Sequence, residues 1–187
     1  MAENKSKTKF FLLTFFTLTT LLFGQTAERI AAVRKKVEAI NTEKSYQIKK
    51  LDNDYFVNVK NEATDGGQEL SGYYKNGKLK KIVYSVGLSY GMKTCEYFFS
   101  DNELIFVFEK QDQYTNIKNQ SNQVTGFYHT KLESIYTGGF YFENSKLFSK
   151  KKIGKEIFTK MDKKSKEAEL LKDSKVFLFE LQKAKSK

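Results

Sequence analysis

The sequence predicts an α+β fold, an antiparallel β-meander sheet packed by an N-terminal and a C-terminal helix. Three observations carry this expectation. Apolar residues recur at helical spacing near both ends, the middle alternates short aromatic and β-branched runs with Asn, Asp and Gly, and three of those turns lie in look-alike segments. The composition bounds the rest. Of 187 residues, 40% are hydrophobic and 15% aromatic, enough for one folded domain with a sizeable core. A single Cys excludes an intrachain disulfide framework and multi-thiolate metal sites, and a single His excludes a His-pair metal site within one chain.

Residues 1–9 carry three Lys and one Glu and run into fourteen uncharged residues, FFLLTFFTLTTLLF at 10–23. This is the pattern of a signal peptide, a basic start followed by an apolar run too short for the roughly 20 residues of a bilayer span. Cleavage is expected after Gly24, with Ala27 as the alternative, giving a leader at 1–24 and a single domain at 25–187. No Cys follows the apolar run to carry a lipid, since the only thiol is Cys95. The expected location is therefore secreted or periplasmic, with no stable membrane span after processing. Losing the leader removes three Lys and one Glu, so the formal charge falls only from +11 to +9. The basic excess belongs to the domain itself.

Residues 26–40 place Ile30, Val33, Val37 and Ile40 on one stripe, with Thr26 as a cap and Glu28 in the first turn, where a carboxylate meets the positive end of the helix dipole. This is a helix. Strands are expected at 55–60, 69–74, 79–86, 94–99, 104–110 and 139–142, each a run of Tyr, Phe, Val or Ile bounded by turn residues. Tyr73-Tyr74-Lys75-Asn76-Gly77-Lys78-Leu79, Phe98-Phe99-Ser100-Asp101-Asn102-Glu103-Leu104 and Tyr141-Phe142-Glu143-Asn144-Ser145-Lys146-Leu147 share a design of aromatic pair, turn and Leu. Each is expected to reverse one strand into the next, Asn-Gly most strongly. The polar stretch 111–131 reads as a surface loop or ragged hairpin. Residues 165–184 form a C-terminal helix, with Ala168, Leu171, Phe177, Leu178 and Leu181 on its stripe and a fraying Lys-rich end.

The segment Gly72 to Lys81, GYYKNGKLKK, resembles the hairpin of MORN-type repeats. That resemblance covers about ten residues and implies a hairpin without a function. The plan of leader, helix, aromatic meander and Lys-rich tail is similar to small uncharacterised secreted proteins of Bacteroidota.

Cys95 alternates onto one strand face with Tyr97 and Phe99 and reads as a core thiol. His129 lies in the polar stretch, so a Cys–His pair requires the fold to bring the two together. Glu96 and Glu109 fall in adjacent predicted strands and are a carboxylate pair that could support hydrolysis, although acids on a sheet usually pair with Lys. No catalytic residue, metal ligand or cofactor site is assigned. The run LIFVF at 104–108 is apolar on both faces and must be covered twice. With both helices expected on one face, the second becomes the candidate binding surface. Tyr73, Tyr74, Tyr84, Tyr97 and Tyr141, with Lys75, Lys78, Lys80 and Lys81, are the residues expected to line it, tyrosine offering a flat apolar face and a hydroxyl, lysine drawing anionic or polar groups. The expected function is a non-catalytic binding or interaction protein. The alternatives are a binder of anionic surfaces or polymers through the basic hairpin and tail, and a carboxylate-dependent hydrolase. Expected partners are an anionic polymer, an envelope surface or another protein; export argues against nucleic acid.

Overall fold

The computed structural model describes residues 25–157 and 165–183; the predicted leader at 1–24 and the extreme C-terminus lie outside the described residues. The chain is α+β. Helix α1 occupies residues 25–42, followed by β1 (Gln47–Leu51), α2 (Asn53–Asn58), β2 (Gln68–Lys75), β3 (Lys78–Leu88), β4 (Gly91–Ser100), β5 (Glu103–Lys118), β6 (Val124–Glu143), β7 (Lys146–Gly154) and α3 (Lys166–Lys183). The strands form one open sheet in the order β1-β2-β3-β4-β5-β6-β7, every neighbouring pair antiparallel. No helix among the described residues is long and apolar enough to cross a membrane.

The three look-alike segments turn the chain as expected. Their central residues all take left-handed backbone: Asn76 and Gly77 at φ 51° and 72°, Asp101 and Asn102 at 51° and 67°, Asn144 and Ser145 at 49° and 59°. Two successive positive φ values define the hairpin turn whose twist matches that of its strands, and Asn, Asp and Gly tolerate it best. A β-bulge follows at the same place in each hairpin. The register shifts between Tyr73 and Tyr74, between Phe98 and Phe99, and between Tyr141 and Phe142. The second aromatic of each pair then faces the Leu beyond the turn, as Tyr74 faces Leu79, Phe99 faces Leu104 and Phe142 faces Leu147.

α3 covers one face of the sheet. Ser165 begins it, its hydroxyl accepting from the Ala168 amide at 3.3 Å. Leu170 and Leu181 are buried, Leu171, Phe177 and Leu178 half-buried, and together they pack on Leu70, Ile82, Tyr97, Val107, Phe140 and Phe142. Phe177 stacks on Tyr84 with centroids 4.5 Å apart and meets the edge of Tyr97 at 5.6 Å.

Three expectations need correction. Residues 55–60 do not form a strand. Asp52 caps a short helix there, accepting from the Tyr55 amide at 3.2 Å with Asp54 in the first turn, so local capping overrides the β-propensity of Tyr-Phe-Val. β1 and β7 were not expected, because these edge strands are largely exposed and Lys-rich and show no clean alternation. Residues 111–131 take the second of the two forms expected of them, a ragged hairpin of β5 and β6 with three register shifts. Finally, the helices are on opposite faces. α1 lies over Phe106 and Tyr141, whereas α3 packs over Tyr84, Tyr97 and Phe140. The apolar character of LIFVF on both sides is thereby met by a cover on each side.

Candidate functional site

The three hairpins place their first aromatics in a line. Tyr73 pairs with Lys81, Lys81 with Phe98, Phe98 with Phe106 and Phe106 with Tyr141, so five adjacent strands each contribute one side chain to a single row on the α1 face. Ring centroids are 5.8 Å apart for Phe98 and Phe106 and 4.8 Å for Phe106 and Tyr141. Lys81 stands between Tyr73 and Phe98, its ammonium 6.0 and 5.0 Å from their ring centres, and is fixed by Glu96 at 2.6 Å. Tyr46, just after α1, meets Tyr73 edge-on at 5.8 Å and donates its hydroxyl to the Ile40 carbonyl at 2.8 Å.

α1 covers only part of this row. Its stripe of Ile30, Val33, Val37 and Ile40 is half-buried, and no residue of the helix is fully buried. Much of its attachment is through polar and cationic groups. Arg34 donates from Nε to the Tyr141 hydroxyl at 3.1 Å and lies over that ring at 5.9 Å. Arg29 sits 4.1 Å above the Phe148 ring and pairs with Glu143. Asn41 accepts from the Lys81 ammonium at 3.1 Å. Beneath the helix a cleft of about 420 Å³ remains, with Phe106 and Tyr141 as its aromatic side and Arg34, Val37, Glu38, Asn41 and Thr42 as its rim. That volume lies in the ~300–1,000 Å³ range of small-ligand pockets. The rim carries one cation and one anion, Arg34 and Glu38, which leaves no strong field of one sign at the cleft.

The nine residues expected to line a binding face are divided between the two sides. Tyr73, Lys81 and Tyr141 stand together in the row. Tyr97 is 1% exposed beneath α3, and Tyr84 lies against Phe177 on the same side, its hydroxyl bound to Gln68 at 2.6 Å. Tyr74 also faces α3, packed on the core cluster. Lys75 pairs with Glu43 at 3.2 Å, Lys78 is exposed beside the first hairpin turn, and Lys80 is the extra residue of the bulge that follows it. The Lys-rich hairpin and the tyrosines therefore do not make one surface. Arg34, Glu38, Asn41, Phe106 and Phe148 complete the site and were not singled out from the sequence. The readable signal was the repeated aromatic pair, turn and Leu; which aromatic of each pair turns toward α1 is fixed by the bulge that the structure adds.

Glu96 and Glu109 are on opposite faces of the sheet and form no catalytic pair: Glu96 meets Lys81 on the α1 face, whereas Glu109 is fully buried on the α3 face. There Lys93 reaches Glu109 at 3.2 Å and Glu169 at 3.7 Å, while Lys166 reaches Glu109, Glu156 and Glu169 at 2.9, 2.6 and 3.5 Å. Gln111 donates to Glu109 at 2.6 Å and accepts from the Ile157 amide at 2.8 Å. Burial works against the Lys166 charge, but the surrounding carboxylates outweigh it and raise its pKa above the ordinary value. Cys95 is 2% exposed, and burial pushes its thiol up to about 12, which leaves it without a nucleophilic thiolate at neutral pH. Its strand partner is Glu109, six residues along β5 from Thr115, the strand partner of Tyr128 next to His129. At the ~3.3 Å rise of a strand, the two backbone positions are about 20 Å apart.

No protein-family model matches the chain, and no curated protein or solved structure matches it.

Proposed function

We propose that the chain is an exported, non-catalytic binding or interaction protein that takes its ligand on the α1 face, at the cleft between Arg34, Glu38 and Asn41 of the helix and Phe106 and Tyr141 of the sheet. One observation carries the reading: a threefold hairpin design sets an aromatic row, broken only by Lys81 among its five side chains, and the helix over it leaves a cleft whose rim offers donors and acceptors beside apolar rings. The envelope of the host cell, as a surface or through one of its proteins, is the partner class that export implies. A second reading, attachment to anionic surfaces, draws support from the exposed lysines of β7, Lys146, Lys150 and Lys151. It is weakened at the hairpin, where Lys75 and Lys81 are already paired with Glu43 and Glu96.

Salt separates the two. Raising ionic strength from about 0.1 M to about 1 M shortens the screening length from ~10 Å to ~3 Å. Co-sedimentation with isolated envelope material, alongside immobilised heparin as an anionic polymer, is expected to show envelope binding that survives high salt and is lost in Phe106→Ala. Binding to both materials that vanishes with salt, and that Phe106→Ala leaves intact, would transfer the function to the lysines.

A further inference from the structure

β5 and β6 overrun the rest of the sheet. β4 leaves β5 at Gln113 and β7 leaves β6 at Tyr136, so 115–118 and 124–134 continue as a two-stranded arm joined by 119–123. Its own side chains stitch it: Asn119 accepts from the Gln123 amide at 2.9 Å, Thr125 donates to the Ile117 carbonyl at 3.3 Å and Thr115 donates to the Lys131 carbonyl at 3.2 Å. Even so, an isolated two-stranded ribbon is marginal in water. Val124, Tyr128 and Leu132 are 52%, 44% and 42% exposed on it. Both of its edges carry backbone groups that pair with no further strand among the described residues.

The contrast with the sheet's own edges is informative. β1 is five residues long and includes Lys49 and Lys50, and β7 carries Lys146, Lys150, Lys151 and Lys152, the devices by which edge strands discourage pairing. From Gln113 to Thr130 the only charged side chain is Lys118, and the base of the arm adds one opposite pair of charges, Lys131, whose ammonium lies 4.9 Å from the Tyr128 ring centre, and Glu133. In a chain of formal charge +11, this is the segment where two copies approach with least repulsion. An acidic partner, by contrast, is drawn to the charged surfaces and not to this one.

We infer that the arm pairs with the same arm of a second copy, β6 edge against β6 edge, to form a two-fold dimer. A strand edge that meets itself antiparallel is self-complementary and closes after two copies. Centred on Gly126, the pairing sets Val124 across from Tyr128 of the partner subunit, an aromatic and β-branched cross-strand pair made twice. Gly126 has ordinary backbone, and a Cβ there meets only Ile117 at 3.7 Å, so a side chain fits on the two-fold.

Sedimentation velocity of the full chain from about 1 µM to about 100 µM is expected to show a monomer–dimer equilibrium. Val124→Lys and Tyr128→Lys, which set like charges across the joint, are expected to weaken it by at least about tenfold. Gly126→Cys supplies a reading that does not depend on how the arm tolerates a lysine. With Cys95 buried, the new thiol is the accessible one, and mild oxidation is expected to give a covalent dimer that Lys146→Cys, on β7, does not give. A chain that stays monomeric throughout, a dimer indifferent to both lysines, or cross-linking through position 146 instead of 126 would overturn the inference; a monomer whose arm captures a different protein does so as well.

Discussion

Lys166 shows how one side chain can hold a buried network together. Its ammonium is the cation nearest to three carboxylates, and Glu109 among them is cut off from solvent entirely. Removing one member of such a cluster leaves the opposite charge under-compensated, here with Lys93 as the remaining cation on Glu109, which costs up to about 3–5 kcal/mol, whereas replacing several members together with apolar groups costs far less. Lys166→Met is therefore expected to lower stability by about that much in urea titrations, and Lys166→Met with Glu109→Leu to recover a large part of the loss. If the single variant is as stable as the parent, the cluster is not a structural one. Cys95 leads to a second expectation at this scale. Buried and with a raised pKa, it should resist alkylation at neutral pH in the native protein and react promptly once unfolded in denaturant, as a mass shift reports.

Among the elements, the two long helices differ in how they are held. α3 buries Leu170, Ser174, Glu180 and Leu181, and Glu180 joins it to the α2 region through the Tyr55 hydroxyl at 2.6 Å and Lys60 at 2.8 Å. α1 buries no residue fully. Local opening free energy follows buried apolar contact, so the amides of α1 are expected to exchange with deuterium well before those of α3. Equal protection of both would show that α1 is not a separable cover over the aromatic row. The helices themselves were legible as spacing of apolar residues, and the hairpin turns as Asn-Gly and its relatives. Which face each helix covers was not, because a stripe states that a helix is buried without naming its partner. β1 and β7 were hidden for a different reason: an edge strand solvated along most of its length needs no alternation. The short helix at Asn53–Asn58 was obscured because Tyr-Phe-Val carries β-propensity and Asp52 settles the matter through a cap. At the site, Tyr73, Lys81 and Tyr141 could be picked out as aromatic and basic candidates, whereas Phe106 and Arg34 depend on bulge positions and on a helix laid across the sheet.

For the whole molecule, pH dependence follows from groups whose charged forms the fold favours. Burial opposes the charges of Glu156 and Glu180, but Lys166 and Lys152 beside the first, and Lys60 and Tyr55 beside the second, bring both carboxyls below the ordinary 4.5. A pKa depressed on folding contributes stability that is present above the unfolded value and lost as pH falls through the folded one. Urea midpoints are thus expected to decline as pH drops below about 4.5 and not to rise, and Glu156→Gln should shrink that decline. On the basic side the raised pKa values of Lys60 and Lys166 act in the opposite sense, their contribution being lost only as pH climbs through those values. The same molecule leaves its aromatic row under a lightly held helix, and the proposed ligand site lies there. Amide and aromatic chemical-shift mapping by NMR, with the isotope-labelled chain titrated with solubilised envelope material in about 0.5 M salt, tests this most directly. The account predicts shifts concentrated at Arg34, Glu38, Asn41, Phe106 and Tyr141; shifts confined to the lysines of β7 or to the α3 face would contradict it.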